Sequence, residues 1–210
     1  PGVDGGRHHG APVAQLEQAS LAEVLHERGS RLIVRHGRPE EAALYATVGS
    51  VGIAWERDGM ETLVDVALEM TQAPNPTPAA TSIAASALVH GGRRDETVAL
   101  IDDQLSLGLP DVIDDASWPV AMAYWTDAAA STGHVALSRH LYDRLLPLAG
   151  THLVTGGFYG GSVALHLGRL ASVLELPEAI GWFEQALAEH VVLDGPAWIA
   201  RTHLNWAEHL

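Results

Sequence analysis

The stretch from Phe158 to Leu193 reads FYGGSVALHLGRLASVLELPEAIGWFEQALAEHVVL and decides the fold of the chain. Apolar residues recur in it every three or four positions, first in the segment after the glycines and again after Leu176-Pro177. This periodicity predicts two amphipathic helices with a tight break near the proline. Because neither helix can bury its apolar stripe alone, the pair needs neighbours of the same kind.

The second of these helices carries the spacing A-x3-F-x2-A of a tetratricopeptide second helix, at Ala179, Phe183 and Ala186. Equivalent positions occur at a spacing of 41 residues (179 − 138 = 138 − 97 = 41), and a further set lies 34 residues earlier (97 − 63 = 34). The matching triplets are Ser138, Tyr142, Leu145; Thr97, Ile101, Gln104; and Leu63, Ala67, Met70. Two-helix repeats have spacings of about 34 to 47 residues. The sequence therefore predicts an all-α fold, a tetratricopeptide-like right-handed superhelix of antiparallel helix pairs (an α-solenoid), with an irregular helical bundle as the alternative.

The same pattern sets the expected domain organisation. We expect a disordered, glycine-rich tail at residues 1–11 and a single helical-repeat domain over residues 12–210. The chain begins without Met and stops inside a helical pattern, so we expect a fragment of a larger protein. A loop is expected at residues 148–157. Helices are expected at 12–28, 31–36, 38–57, 60–71, 79–90, 93–107, 117–130, 134–146 and 196–210, besides the opening pair.

Composition excludes several classes of function. The formal net charge is −14, which argues against direct nucleic-acid or anionic-membrane contact, because phosphates are held by clustered positive charge. All twelve basic residues are arginine, so a Schiff-base lysine and a P-loop lysine are both absent. There is no cysteine and therefore no disulfide or thiol chemistry. No apolar run reaches the roughly 18–20 residues of a membrane span, and we expect a cytoplasmic protein.

Known catalytic and metal-binding patterns are also missing. No two of the twelve histidines are three or four residues apart, so no helix offers a two-histidine face to a metal. The acidic segment Asp111–Asp115 is better explained by capping of the following helix than by a metal-diphosphate site. No G-x-S-x-G nucleophile elbow occurs. We therefore expect no enzyme activity, no metal and no cofactor.

The glycine-rich segment from Thr155 to Ser162 is the most unusual local feature. One interpretation is a loop that presents Phe158 and Tyr159 to a ligand or peptide, with backbone N–H groups available to an anion. The other is a flexible loop whose glycines allow a tight approach to the helix, capped by Ser162.

The polar face of the helix that follows, with His166 and Arg169, is either exposed to solvent or the floor of a binding groove. Tryptophans of the second half either pack in the core or anchor a ligand in that groove. The predicted ligand- or partner-binding residues are Gly156, Gly157, Phe158, Tyr159, Gly160, Ser162, His166, Arg169, Trp198 and Arg201.

Three segments together resemble one group of helical regions: LLPLAGTHLVTGGFYGGSVALHLGRLASVL at residues 145–174, PEAIGWFEQALAEH at 177–190 and PAWIART at 196–202. They are similar to the carboxy-terminal tetratricopeptide-like regions of large bacterial STAND-type signalling ATPases. Members of that family join the ATPase module to an adenylate or guanylate cyclase domain or to a LuxR-type DNA-binding domain. The resemblance is clearest over residues 114–205. It implies a sensor or interaction region and brings no catalytic residue with it.

These observations give one functional expectation and two alternatives. We expect a non-enzymatic protein-interaction or regulatory (sensor) module of a bacterial signalling or transcription-regulating ATPase. Its partner would be a protein, a peptide, other domains of its own parent chain, or a second copy in a homo-oligomer. The first alternative is a small-molecule sensor that uses the Gly156–Gly161 loop. A small all-helical enzyme is the more distant alternative.

Overall fold

The structure is a computed structural model, and it divides into two compact units, residues 1–57 and 58–210, which are described separately. It describes residues 24, 27–29, 31–35, 49–55, 57, 59–73, 78–109, 117–155 and 158–209. In the first unit, residues 31–35 and 49–55 are helical, as predicted. The expected tail at 1–11, most of the expected helix at 12–28, and Asp111–Asp115 lie outside the described residues. The single domain expected over residues 12–210 stays a prediction.

The second unit is mostly helical, which confirms the all-α expectation at the level of fold class. A short 3-10 turn, Met60–Leu63, comes before the first helix, and another, Leu146–Leu148, follows the fifth. The helices are α1 Val64–Thr71, α2 Pro78–His90, α3 Arg94–Leu107, α4 Trp118–Thr132, α5 Val135–Leu145, α6 Val163–Val173, α7 Ala179–Val192 and α8 Pro196–His209. These bounds agree with the predicted helices of this unit to within a few residues, except at the start of α6.

The helices pack in a regular order. Helices α2, α4, α6 and α8 contact one another in succession, α2 against α4, α4 against α6 and α6 against α8. Helices α3, α5 and α7 each contact the helix before them and the helix after them. Helices that follow one another in the chain therefore share their apolar surfaces.

Helix α4 is at the centre of this packing. Its sequence, WPVAMAYWTDAAAST, has small and aromatic residues on every side, and nearly all of them are buried. A helix that is apolar all round needs neighbours on all sides, and α4 contacts α2, α5 and α6. It ends at Gly133, whose φ of 63° is the left-handed conformation that glycine adopts without strain.

The segment before α6 departs from the prediction. It forms an antiparallel hairpin of β1, His152–Thr155, and β2, Phe158–Ser162, where a loop and the start of a helix were expected. Thr155 of β1 pairs with Phe158 of β2. The register shifts by one residue toward the end of β2, which leaves room for a bulge at the two glycines 160 and 161. The predicted helix start at Phe158 is wrong, because β-branched and aromatic residues flank a glycine pair suited to a hairpin turn.

In the described part of the chain, no helix is long and apolar enough to cross a bilayer.

The hairpin bulge gives a stability prediction. Gly161 has φ of +92°, and a Cβ there would lie 2.5 Å from Cζ3 of Trp198. We expect Gly161→Ala to lower the free energy of unfolding by roughly 2 kcal/mol or more. Both the backbone strain of a positive φ and the overlap of the new Cβ with the buried ring of Trp198 destabilise the folded state. Gly181→Ala, on α7 with open space around it, is the matched control and should raise stability by about 0.5–1 kcal/mol. Denaturant unfolding measures both, and equal effects of the two changes would contradict the bulge geometry.

Candidate functional site

A buried carboxylate joins three of the packed helices. Asp127 of α4 is 3% exposed and accepts hydrogen bonds from Ser86 Oγ at 2.6 Å and from His90 Nε2 at 2.8 Å, both on α2. Its other oxygen accepts from Arg169 Nη2 of α6 at 2.9 Å. These four residues are called the Asp127 cluster. The cluster fixes how α2 and α6 are placed on the two sides of α4.

The Asp127 cluster holds its carboxylate in the charged form. Burial alone would raise the pKa of Asp127, but the charge of Arg169 and the hydrogen bonds from His90 and Ser86 outweigh burial and hold that pKa well below its usual range. The Arg169 side chain is only 11% exposed. The two charges are therefore buried together and neutralise each other.

A second polar network joins the hairpin to α7 and α8. The backbone N–H of Ser162 donates to His190 Nε2 at 3.1 Å, so the proton of the neutral ring is on Nδ1, which donates to Thr202 Oγ1 at 2.8 Å. Thr202 in turn donates to the carbonyl of Trp198 at 2.8 Å. The Ser162 hydroxyl donates to Glu189 and accepts from the N–H of Ala164 at the start of α6.

The second network contains a serine and a histidine but not the bond that nucleophilic catalysis needs. His190 accepts the backbone N–H of Ser162, while the hydroxyl of Ser162 is bound to Glu189. An activated serine would donate its hydroxyl to the imidazole. Burial, with a smaller effect of His152, lowers the pKa of His190 to about 4, so the ring is neutral near pH 7. The network is therefore an N-terminal cap for α6 that also holds α7 and α8.

His166, one turn before Arg169 on α6, is 1% exposed. Its Nε2 donates to the carbonyl of Gly160 at 2.8 Å, and its Nδ1 has no hydrogen-bond partner among the described residues. Burial lowers its pKa to about 4, although the bond to Gly160 opposes this. The neutral ring of His166 thus holds the glycine bulge of β2 through its hydrogen bond to Gly160.

An aromatic group lies where the hairpin meets α8. The ring of Tyr159 meets that of Trp198 edge-on at 5.0 Å, and its hydroxyl is 3.0 Å from His152 Nδ1. The guanidinium of Arg201 lies 5.5 Å from the centre of the Trp198 ring. Burial raises the pKa of Tyr159 to about 12, so the phenol stays protonated.

A pocket of about 280 Å³ opens between α4, α6 and α8. It is called the α4–α6–α8 pocket. Its lining residues are Ala130, Ser131, Arg169, Ser172, Val173, Asn205, Glu208 and His209.

The structure separates the predicted site residues into three groups. Phe158, Gly160 and Ser162 are buried residues of the hairpin itself, and His166 is a buried residue of α6. The expectation that the loop presents Phe158 is therefore wrong: its ring packs against Tyr124 at 5.8 Å. Tyr159, Trp198 and Arg201 come together in the aromatic group, in which Trp198 is itself buried. Arg169 is the one predicted residue that lines the pocket. Gly156 and Gly157 lie outside the described residues.

The polar face of α6 is not simply exposed to solvent: Ser162 and His166 are buried and Arg169 is nearly so, while Arg169 and Ser172 line the α4–α6–α8 pocket. Sequence reasoning missed Asp127 and the α8 residues of the pocket. The available signal was a lone aspartate inside an apolar helix, WPVAMAYWTDAAAST, because an acid in such a position needs a buried partner.

No protein-family model matches this chain, and comparison with curated proteins and with solved structures likewise gives no match. Among the described residues, no group of three or more histidine or acidic side chains is arranged to hold a metal ion.

The Asp127 cluster predicts a large stability cost. Asp127→Asn keeps the size of the side chain but leaves Arg169 buried without a counter-charge, so we expect the free energy of unfolding to fall by about 3 kcal/mol. Asp102→Asn is the control: Asp102 binds His134 at 3.1 Å with a side chain that is 65% exposed, and its loss should cost less than about 1 kcal/mol. Denaturant titrations compare the two. Similar small losses would mean that Asp127 does not hold the helices together.

His166 predicts loss of stability in acid. Its pKa is lower in the folded than in the unfolded chain, where it is about 6.5. The contribution of neutral His166 is therefore complete above pH 6.5 and is lost as the pH falls toward 4, by up to about 1.4 kcal/mol per pH unit. His166→Gln keeps a donor for Gly160 but cannot titrate, so its stability should fall less steeply over this range. His203→Gln, at an exposed position, should follow the unmodified protein. Thermal unfolding from pH 7 to 4 tests this, and parallel curves for all three proteins would contradict it.

Proposed function

We propose that the chain is a tetratricopeptide-like α-solenoid, a right-handed superhelix of antiparallel helix pairs. Support comes from the succession of contacts α2–α4–α6–α8, with α3, α5 and α7 each bridging to the next pair. This is the packing expected when every repeat contacts only its neighbours. The Asp127 cluster supports the same arrangement, because its side chains join α2, α4 and α6, which are the first helices of three successive pairs in this proposal.

We further propose that the chain is a non-enzymatic protein-interaction and regulatory module of a bacterial signalling or transcription-regulating STAND-type ATPase. The α4–α6–α8 pocket carries this proposal, because it is formed by successive first helices, the helices that line the inner surface of such arrays. The ligand is a segment of a protein or peptide, or of another domain of the parent chain. The STAND connection rests on the resemblance of residues 145–174, 177–190 and 196–202. We propose a cytoplasmic location because members of that family are signalling proteins of the bacterial cytoplasm. The net charge of −14 is consistent with a module that makes no direct contact with nucleic acid.

The small-molecule sensor that uses the Gly156–Gly161 loop is less well supported. Around Gly160 and Gly161 the space above the backbone is filled: a Cβ on Gly160 would lie 2.8 Å from the ring of Phe158, and one on Gly161 2.5 Å from Trp198. The backbone N–H of Ser162 is already bound to His190. A ligand seated against Gly160 and Gly161 would have to displace those aromatic rings.

A blocking substitution tests the pocket as a protein-binding site. Ser131 is exposed at the edge of the pocket, so Ser131→Trp fills the opening without disturbing the buried Asp127 cluster. Peptides selected from a displayed random library for binding to the unmodified protein should bind this variant at least about tenfold more weakly. Ser106→Trp, at an exposed position of α3, should bind them unchanged. Peptides that bind both variants equally, or a library without enriched peptides, would contradict the proposed function.

The regulatory part of the proposal has a separate test. The protein is mixed with a purified STAND-type ATPase module encoded in the same genome, and ATP hydrolysis is measured with and without it. We expect the unmodified protein and Ser106→Trp to change the rate, and Ser131→Trp to leave it close to that of the ATPase alone. A rate that none of the three proteins changes would contradict the connection to that ATPase.

A further inference from the structure

Two buried histidines hold strand β2 by its backbone. His190 Nε2 accepts the N–H of Ser162 at 3.1 Å, and His166 Nε2 donates to the carbonyl of Gly160 at 2.8 Å. The two rings belong to different helices, α7 and α6, and both are buried. The end of β2 that leads into α6 is therefore attached to the helices through imidazole nitrogens.

Each of these attachments requires a neutral ring. The other nitrogen of His190 already donates to Thr202, so a second proton would go to Nε2, where it would meet the N–H of Ser162 and break that bond. On His166 a second proton would go to Nδ1, which is buried and has no partner among the described residues. Because a buried N–H without an acceptor is destabilising, protonation of either ring opposes the closed hairpin.

Burial is the main reason that His190 stays neutral. It lowers the pKa of His190 to about 4; the charge of His152 on β1 acts in the same direction, and the carboxylate of Glu189 on α7 opposes both. Tyr159 of β2 is an uncharged phenol, since burial raises its pKa to about 12. On α8, the guanidinium of Arg201 adds a further positive charge on this side of the molecule. Opening the hairpin gives the ring of His190 access to water, so its pKa returns toward 6.5.

His166 is kept neutral in the same way. Burial lowers its pKa to about 4, and the carbonyl of Gly160 opposes this. Of the charged groups around it, Arg169 of α6 and His190 of α7 lower this pKa, whereas Asp127 of α4 raises it. Both rings therefore have a lower pKa in the closed hairpin than in the open one. Their contribution to closure is complete above pH 6.5 and is lost as the pH falls toward 4.

The Asp127 cluster does not share this sensitivity to acid. Burial would raise the pKa of Asp127, but the charge of Arg169 and the hydrogen bonds from α2 outweigh burial and hold that pKa well below its usual range. The carboxylate is therefore still charged at a pH at which His166 and His190 gain protons. The bonds that join α2, α4 and α6 outlast those that hold the hairpin.

We propose that the β1–β2 hairpin is a strap that acid releases: when His166 and His190 gain protons, it detaches from α6, α7 and α8, while α2, α4 and α6 stay packed. Release uncovers the rings of Tyr124 on α4 and Trp198 on α8, which pack against residues of β2 in the closed form. This inference does not depend on the proposed function.

Amide hydrogen exchange of the unmodified, ¹⁵N-labelled chain is the direct test. The reporters are the N–H groups of Ser162 and of Val163, which donates to the carbonyl of Thr151 at 2.9 Å. A ring whose pKa rises from about 4 to about 6.5 on opening favours the open form by roughly 20-fold more at pH 5 than at pH 7. We therefore expect the protection factors of both reporters to fall at least about tenfold over this range. Unchanged protection would overturn the inference.

The amides in the middle of α4 tell local release from global unfolding. At pH 4.5 we expect their protection factors to exceed those of Ser162 and Val163 by at least about 100-fold, because the strap opens while α4 stays packed. Equal protection factors in the hairpin and in α4 would mean that both exchange only by global unfolding, and would overturn the strap.

Variants assign the effect to the two rings. His166→Gln with His190→Gln removes both titrating groups, and glutamine can still donate to Gly160 and accept from Ser162. The fall in hairpin protection from pH 7 to pH 5 should shrink to less than about threefold. His203→Gln, at an exposed position of α8, should keep the full fall. A double variant that keeps the full fall would overturn the inference.

Glu189→Gln separates the histidines from the neighbouring carboxylate, and it decides the question even if the double variant does not fold. Glutamine at this position still accepts the hydroxyl of Ser162 but cannot gain a proton. We expect this variant to keep the tenfold fall in hairpin protection. A variant whose hairpin protection is the same at pH 7 and pH 5 would assign the acid sensitivity to Glu189 and overturn the role of the histidines.

Discussion

The buried charge of Asp127 is the constraint on which the packing of the second unit depends. An isolated carboxylate in an apolar helix is costly, and this cost falls only if donors reach it from outside the helix. Here α2 supplies two donors and α6 supplies a guanidinium. Apolar packing alone tolerates small rotations of one helix against another. A charged hydrogen bond at 2.9 Å does not, so Asp127 selects one rotation of α2 and of α6 about α4.

The hairpin fixes the amino-terminal end of α6, as the Asp127 cluster fixes the helix near its carboxyl end. Ser162 caps the helix, and the Ser162–His190–Thr202 chain ties that cap to α7 and α8 through neutral groups. His166 holds the bulge of β2 from within α6. Helix α6 is thus fixed by an ion pair near its last turns and by a neutral network at its start. Because both ends are fixed, the residues of its last turn, Ser172 and Val173, have defined positions at the edge of the pocket.

The helices were predictable from the sequence because their signal is local. Apolar periodicity, the glycine pairs and the prolines gave the bounds of α2 to α8 to within a few residues, apart from the start of α6. The hairpin was missed because the segment THLVTGGFYGGS is short and its glycines also suit a flexible loop. Its β-branched and aromatic residues around a glycine pair were the signal for a hairpin.

The site was far less predictable, because its residues are brought together by packing between helices that are far apart in the sequence. Arg169 was selected as a polar residue on a helix face, but its partner Asp127 lies 42 positions away in the sequence. The pocket combines last turns of three helices, and no periodicity within one helix indicates that they meet. Tyr159, Trp198 and Arg201 were selected as separate candidates, and only the hairpin explains why they are adjacent.

The hydrogen bonds separate the polar residues that hold the helices together from those that do not. Arg169 would have to leave Asp127 in order to bind an anion, and that would leave a buried carboxylate unpaired at a cost of several kcal/mol. It therefore acts as a fixed part of the pocket wall. Glu208 and the amide oxygen of Asn205 have no such role, since the carboxylate is exposed and the oxygen is not needed to hold the helix. The deeper charges therefore hold the helices in place.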